Sequence, residues 1–236
     1  MTSTQHVRID QVAELTRAVE VPLPHVDPQI IEIILDAVAQ GWEYLRQNHL
    51  GVLQNGEEAE ISALLDTWLN AELSTVPGLD LIVSSVDRGR ESISYDGKRL
   101  EVRPDISFRL THQDARFRLI AECKIIDTGK GKTAGLYRDK GVARFVEGDY
   151  AWANREALMF GYVRCGSGLE KTVLKSLKNY AALNCNEIEM RASITPLIKK
   201  DALGTSTHGR SFAYVHAATT SVPGPIELWH LWLEAT

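Results

Sequence analysis

The apolar period of the chain changes at Pro77, and that change does most to limit what the chain can fold into. Before it, apolar residues recur at helical spacing; after it, they run in short continuous or alternating stretches. Asp27 caps a helix with Pro28 at its first position, and IIEIILDAVAQGWEYL carries a broad apolar stripe to about Leu45 or Leu50. A second helix starts from Asn55 as cap and places Ile61, Leu64, Leu65, Trp68 and Leu69 on one side. LDLIVSSV, an Asp96-Gly97 turn, RLEVRPDISFRL and RFRLIAECKII then read as successive strands. A Gly- and Lys-rich loop over Thr128–Thr133 leads to the helix-like GLYRDKGVARFVEGDYAWANRE, with breaks expected around Gly141 and Gly148. ALMFGYVRC reads as a central strand covered on both faces. Beyond it come a helix over Leu169–Leu183 and strands around Ile188–Ile198, Ser211–Ala217 and Ile226–Leu233. This order predicts an α/β fold with a central mixed β-sheet flanked by helices. Residues 1–55 form a helical arm and packing helix, and residues 56–236 an α/β domain that makes one compact unit with them.

Several function classes drop out. No apolar run approaches the ~20 residues that cross a bilayer, and MTSTQHVRIDQVAELTR has neither a basic n-region nor an apolar h-region, so a cytoplasmic protein without a membrane partner is expected. Three cysteines without CxxC spacing make neither a disulfide framework nor a thiolate cage. The seven histidines show no HExxH pattern, GKGKTAG is not a nucleotide-binding loop, and no serine sits in a nucleophile elbow. His208, in STHGRS, is read as lying in a loop.

The net charge of −5 hides an uneven distribution. Residues 1–75 carry twelve acidic side chains against three arginines, or −9, which leaves +4 for the remainder. Between Lys124 and Arg144 six basic side chains face two aspartates. Screening over about 8 Å lets such a local patch attract a polyanion to an acidic chain. Lys130 and Lys132, in the Gly-containing loop, are placed to meet backbone phosphates.

The chemistry concentrates at Pro104-Asp105 and Glu122-Cys123-Lys124. If the hairpin between them closes in THQDA (residues 111–115), Asp105 falls opposite Glu122. Alternation along a strand then sets Glu122 and Lys124 beside Asp105 and turns Cys123 to the other face. Two carboxylates so close repel one another, and a divalent cation between them removes the repulsion. Hard oxygen donors without a histidine cluster favour Mg²⁺ or Mn²⁺. With Lys124 alongside to neutralise developing charge, the patch has the parts that phosphodiester hydrolysis needs.

Pro104-Asp105, then 16 intervening residues, then Glu122-Cys123-Lys124, framed by ISFRL and FRLIA, resembles the PD-(D/E)XK nuclease superfamily. The resemblance covers about half the chain. It implies a restriction-endonuclease-like core of helix, three-stranded meander, helix and strand, and a metal-dependent endonuclease or nickase acting on DNA, with RNA as a further substrate class. It also implies a glutamate from the helix before the meander. Glu58 is preferred because Ile61 and Leu65 follow it at three and seven residues; Glu57 is the substitute, and closing a capping box is the competing use of Glu58. By the same resemblance the Cys123 carbonyl is a backbone metal ligand. Lys140 and Arg144, one turn apart on the following helix, are implied as phosphate contacts or supports for the lysine, with Arg138 a third candidate. A homodimer would set two such sites on opposite strands of a duplex, and a separate protein would supply targeting, since no sequence-reading motif is visible. The alternative is a catalytically inactive nucleic-acid-binding or scaffold protein on the same fold.

Overall fold

The computed structural model describes residues 11–99, 102–214 and 222–235. Helix α1 (Pro28–Asn48) starts as its sequence requires: the Asp27 carboxylate accepts from the Gln29 N–H at 2.9 Å, with Pro28 in the first turn. Its buried stripe includes Ile31, Ile34, Leu35, Val38, Trp42 and Leu45. A short helix α2 (Leu50–Asn55) intervenes before α3 (Glu58–Ala71), so Asn55 ends one helix and does not cap the next. Glu57 is the residue flanking α3, and the Glu60 side chain accepts from its N–H at 2.7 Å. The capping-box role weighed against Glu58 is therefore filled by Glu57 and Glu60. Glu58, at the first helical position, is left to other partners.

One helical turn, Leu79–Ile82, absorbs the start of the expected first strand. The sheet then runs β1 (Val83–Arg88), β2 (Ile106–Leu110), β3 (Leu119–Ile126), β4 (Glu156–Val163), β5 (Cys185–Met190), β6 (Leu203–His208) and β7 (Ile226–Glu234). Its seven strands lie in the order β1-β2-β3-β4-β7-β6-β5. β1, β2 and β3 form an antiparallel meander, β3, β4 and β7 are parallel, and β7, β6 and β5 are antiparallel. The chain is thus α/β with a mixed sheet, as expected. β4 is buried at every position, which suits a central strand.

One face packs on α1 and α3, where Trp42 stacks on Tyr162 at 5.2 Å and Ser62 meets the Tyr162 hydroxyl at 3.1 Å. The other face is covered by helical segments over 134–146 and 170–178. Gly141 does not break the first of these; it lies in a π-turn (Arg138–Val142) against Met159, where an added Cβ would stand 2.6 Å from Cε. The segment ends at Gly148, whose φ of +80° turns the chain back.

The C-terminal half departs furthest from expectation. Leu203–His208 is a strand that polar Gly, Thr and Ser residues concealed, and β5 begins and ends earlier than Ile188–Ile198. Residues 211–214 are not strand, and the rest of the expected 211–217 strand lies outside the described residues. His208 is not in a loop: it ends β6, fully buried. Among the described residues no helix is long and apolar enough to cross a membrane.

Candidate active site

The site forms where β2 and β3 part. Their register pairs Ile106 with Ala121, so Asp105 and Glu122 are the next pair outward, as the hairpin argument requires. Beyond that pair β3 runs on alone on this side, and its inner N–H groups need other acceptors. The Asp105 carboxylate takes the Cys123 N–H at 2.8 Å, and the Glu58 carboxylate takes the Ile125 N–H at 2.9 Å. The splay of the two strands thus fixes two carboxylates by charge-assisted bonds to the freed backbone edge of β3.

The Lys124 ammonium sits between them. Its three donors reach Glu58 Oε1 at 2.9 Å, Glu122 Oε1 at 2.8 Å and the Cys123 carbonyl at 2.5 Å, with Asp105 Oδ2 at 3.7 Å. All four groups that the sequence put forward as ligands therefore converge on one point, occupied by a cationic nitrogen. Among the described residues no set of three His, Cys, Asp or Glu side chains is arranged to hold a metal ion, and the carboxylates converge on the ammonium. The Cys123 thiol lies on the opposite face, fully buried.

Glu122 is the most constrained member. Its side chain is 3% exposed, and among the described residues its Oε2 has no hydrogen-bond partner. Burial first, and the Asp105 charge second, push its carboxyl up to about 8, against the pull of Lys124 and Arg144. Asp105 is likewise raised, chiefly by burial. Burial alone would lower the Lys124 ammonium, but Glu122, Asp105 and Glu58 outweigh it and hold its pKa well above the ordinary value.

Arg144 approaches from segment 134–146, with its guanidinium 3.7 Å from Glu122 Oε1. It also donates to the Tyr150 hydroxyl, which in turn donates to the Arg103 carbonyl at 2.8 Å. Tyr150 was not singled out in the sequence. The signal available was Gly148 at the helix end, since the reversal there brings the Asp149 N–H to the Arg144 carbonyl at 2.9 Å and returns Tyr150 over the helix.

The basic candidates divide. Lys140 and Arg144 line one open groove with Arg99 and Arg103, along with Asp139, Glu147 and Asp149. Lys130 lies in the loop after β3, exposed and 3.8 Å from Asp127, and Lys132 is exposed beside it; neither touches the carboxylate cluster. Arg138 pairs with Asp139 and stacks over Tyr180 at 3.8 Å, away from Glu122. Comparison with protein-family models, with curated proteins and with solved structures finds no match to this chain.

Proposed function

We propose that the chain is a metal-dependent endonuclease that hydrolyses phosphodiester bonds, with DNA the substrate and RNA a further class to test. One observation carries this reading: Asp105, Glu122, Glu58 and the Cys123 carbonyl surround a single cationic point, and the innermost carboxyl group has an oxygen without a partner among the described residues. The element order, a helix and three-stranded meander followed by helix and strand, supports it further.

The donor set fits Mg²⁺ or Mn²⁺: all are hard oxygens, two are raised carboxylates close enough to repel, and one oxygen is orphaned in a buried place. Asp105 and Glu122, with the Cys123 carbonyl and Glu58, would hold the ion, which would act as a Lewis acid toward a phosphate oxygen and make water more acidic. Lys124 is held protonated at Nζ by its carboxylate neighbours, so it acts as a fixed positive charge toward a phosphate entering the cluster. Arg144, steadied by Tyr150, adds a second cation on the groove side. Glu58, anchored to the Ile125 N–H, keeps Lys124 from swinging outward.

The test is incubation with plasmid, linear duplex, single-stranded DNA and RNA, each with Mg²⁺, Mn²⁺ or EDTA. Cleavage should need the divalent ion and fall at least ~10²-fold in Asp105→Asn and in Lys124→Ala. Melting curves must show that both variants are folded. Equal cleavage by either folded variant refutes the site. The second reading is a catalytically inactive nucleic-acid-binding or scaffold protein, in which Lys124 keeps the three acidic side chains together in place of a metal. EDTA-insensitive binding without cleavage of any substrate is its signature.

A further inference from the structure

A second polar recess opens on the same sheet face, beyond the far side of the Asp105–Glu122 pair. Ile120 and Ser107, paired across β2 and β3, form part of its lining, and Pro104 joins it to the carboxylate cluster. Arg90, Arg116 and Arg118 stand around it, over an aromatic floor in which Phe117 meets Trp152 edge to face at 5.9 Å. The recess measures about 490 Å³ including its open mouth.

Its charges are out of balance. Arg116 is neutralised by Asp114 at 2.6 Å, Glu91 is paired with Arg103, and Asp87 is paired with Arg118. Arg90 has no carboxylate partner among the described residues, and its charge works against that of Arg118. Arg118 has a side chain only 7% exposed, yet among the described residues its Nε has no hydrogen-bond partner. A buried guanidinium that keeps an unused donor and faces a second cation carries a cost that a bound oxyanion would remove. The planar fork of arginine suits a phosphate in particular.

We infer that this recess is a phosphate-binding site in which Arg118 and Arg90 hold a phosphate group about 13 Å along the strand from Glu122, four residues at ~3.3 Å each. That the phosphate belongs to a nucleic-acid strand rests on the nuclease reading; that the recess binds phosphate does not. The buried guanidinium supplies the fixed donor, and Arg90, exposed at the rim, supplies the excess charge.

The experiment uses the full chain carrying Asp105→Asn, in EDTA, so that cleavage plays no part. Inorganic phosphate is titrated calorimetrically at constant ionic strength, then a single-stranded oligonucleotide bearing either a 5′-phosphate or a 5′-hydroxyl. Phosphate should bind with a millimolar constant and weaken about tenfold in Arg90→Gln, whose melting temperature should not change because Arg90 makes no pair to lose. Arg118→Lys, which keeps the charge on Asp87 but loses Nε–H, should weaken phosphate likewise if it folds. A tighter grip on the 5′-phosphate oligonucleotide that disappears in Arg90→Gln supports a strand end as the source. Equal weakening of both oligonucleotides by Arg90→Gln supports an internal phosphate. No phosphate binding up to about 50 mM, or binding unaltered in folded Arg90→Gln, overturns the site. Failure of cleavage alone would sink the nuclease reading and leave this result standing.

Discussion

Glu122→Gln should stabilise the metal-free protein at alkaline pH while abolishing any cleavage. The carboxyl of Glu122 is pushed from 4.5 up to about 8, first by burial and then by Asp105. Since the folded value lies above the unfolded one, the protonated carboxyl's contribution is complete below about 4.5 and is lost as pH climbs through about 8. A displacement of that size is worth on the order of 4–5 kcal/mol at pH 9, and roughly 2–4 °C per kcal/mol in a chain of this length gives a shift on the order of 10 °C. Gln cannot ionise, so it escapes the penalty while keeping the shape. The assay is urea unfolding and thermal melting of both proteins in EDTA from pH 5 to pH 9. The difference between variant and wild type should be small at pH 5, grow with pH and level off above about pH 8. Comparing the two at each pH cancels the titrating groups that do not interact with Glu122. A difference that stays constant across this range would refute the argument that Glu122 is held protonated by its surroundings.

Lys124→Met removes the counter-charge from Asp105 and Glu58 and the donor that meets the Glu122 carboxyl, and should cost about 3–5 kcal/mol near neutrality, less at pH 5, with Mg²⁺ raising its melting temperature more than that of wild type. His230, driven down to about 3 by burial and then by His208, is held neutral between the Tyr137 hydroxyl at 2.8 Å and Ser206 at 2.7 Å. Its folded value lies below the unfolded 6.5, so that contribution is present above 6.5 and lost as pH falls, by about 2 kcal/mol at pH 5. Glu122 gains over the same interval, so the acid loss should be masked in wild type and exposed in Glu122→Gln, as urea unfolding at pH 7.5 and pH 5 will show. Tyr137→Phe leaves His230 Nδ1 without its hydrogen-bond partner and should cost ~1–3 kcal/mol at pH 7.5 by urea unfolding. Gly161→Ala would drive a methyl into the Trp232 ring and should cost ~1–3 kcal/mol by the same measurement.

The carboxylate site was legible in the sequence because it depends on local rules. Hairpin symmetry about residues 111–115 sets Asp105 against Glu122, and strand alternation assigns Lys124 to their side and Cys123 to the other. Glu58 was legible by its place before an apolar stripe, although the helix start was misplaced by the break at Gly56 between α2 and α3. What escaped was set by tertiary contact. Leu203–His208 pairs with β7 on one side and β5 on the other, and pairing with two strands outweighs the weak strand preference of GTSTH. His208 looked like a loop residue because nothing nearby in sequence announces the Leu183 carbonyl that meets its Nδ1, or His230, which shares the Ser206 hydroxyl with its Nε2. Tyr150 and Arg118 escaped for the same reason, since their partners come from other parts of the chain.

So much unfavourable charge can be held in one place because the other face of the same strand leaves it no alternative. Ala121, Cys123 and Ile125 alternate with Glu122 and Lys124 and are buried toward α1 and α3, where Ser62, Tyr162 and Trp42 close the packing. A slip of β3 by one residue would exchange every member of one set for the other, placing Glu122 among aliphatic and aromatic side chains and Cys123 in the polar groove. The parallel register with β4, six consecutive pairs from Ala121–Leu158 to Ile126–Val163, resists that slip along the whole strand. The apolar face thus sets the register, the register sets Glu122 beside Asp105, and the end of β2 at Ile106 leaves the Cys123 and Ile125 N–H groups free to fix Asp105 and Glu58. Relieving the repulsion at Glu122 by neutral substitution therefore should not move the strand, which is why Glu122→Gln reads electrostatics and not misfolding.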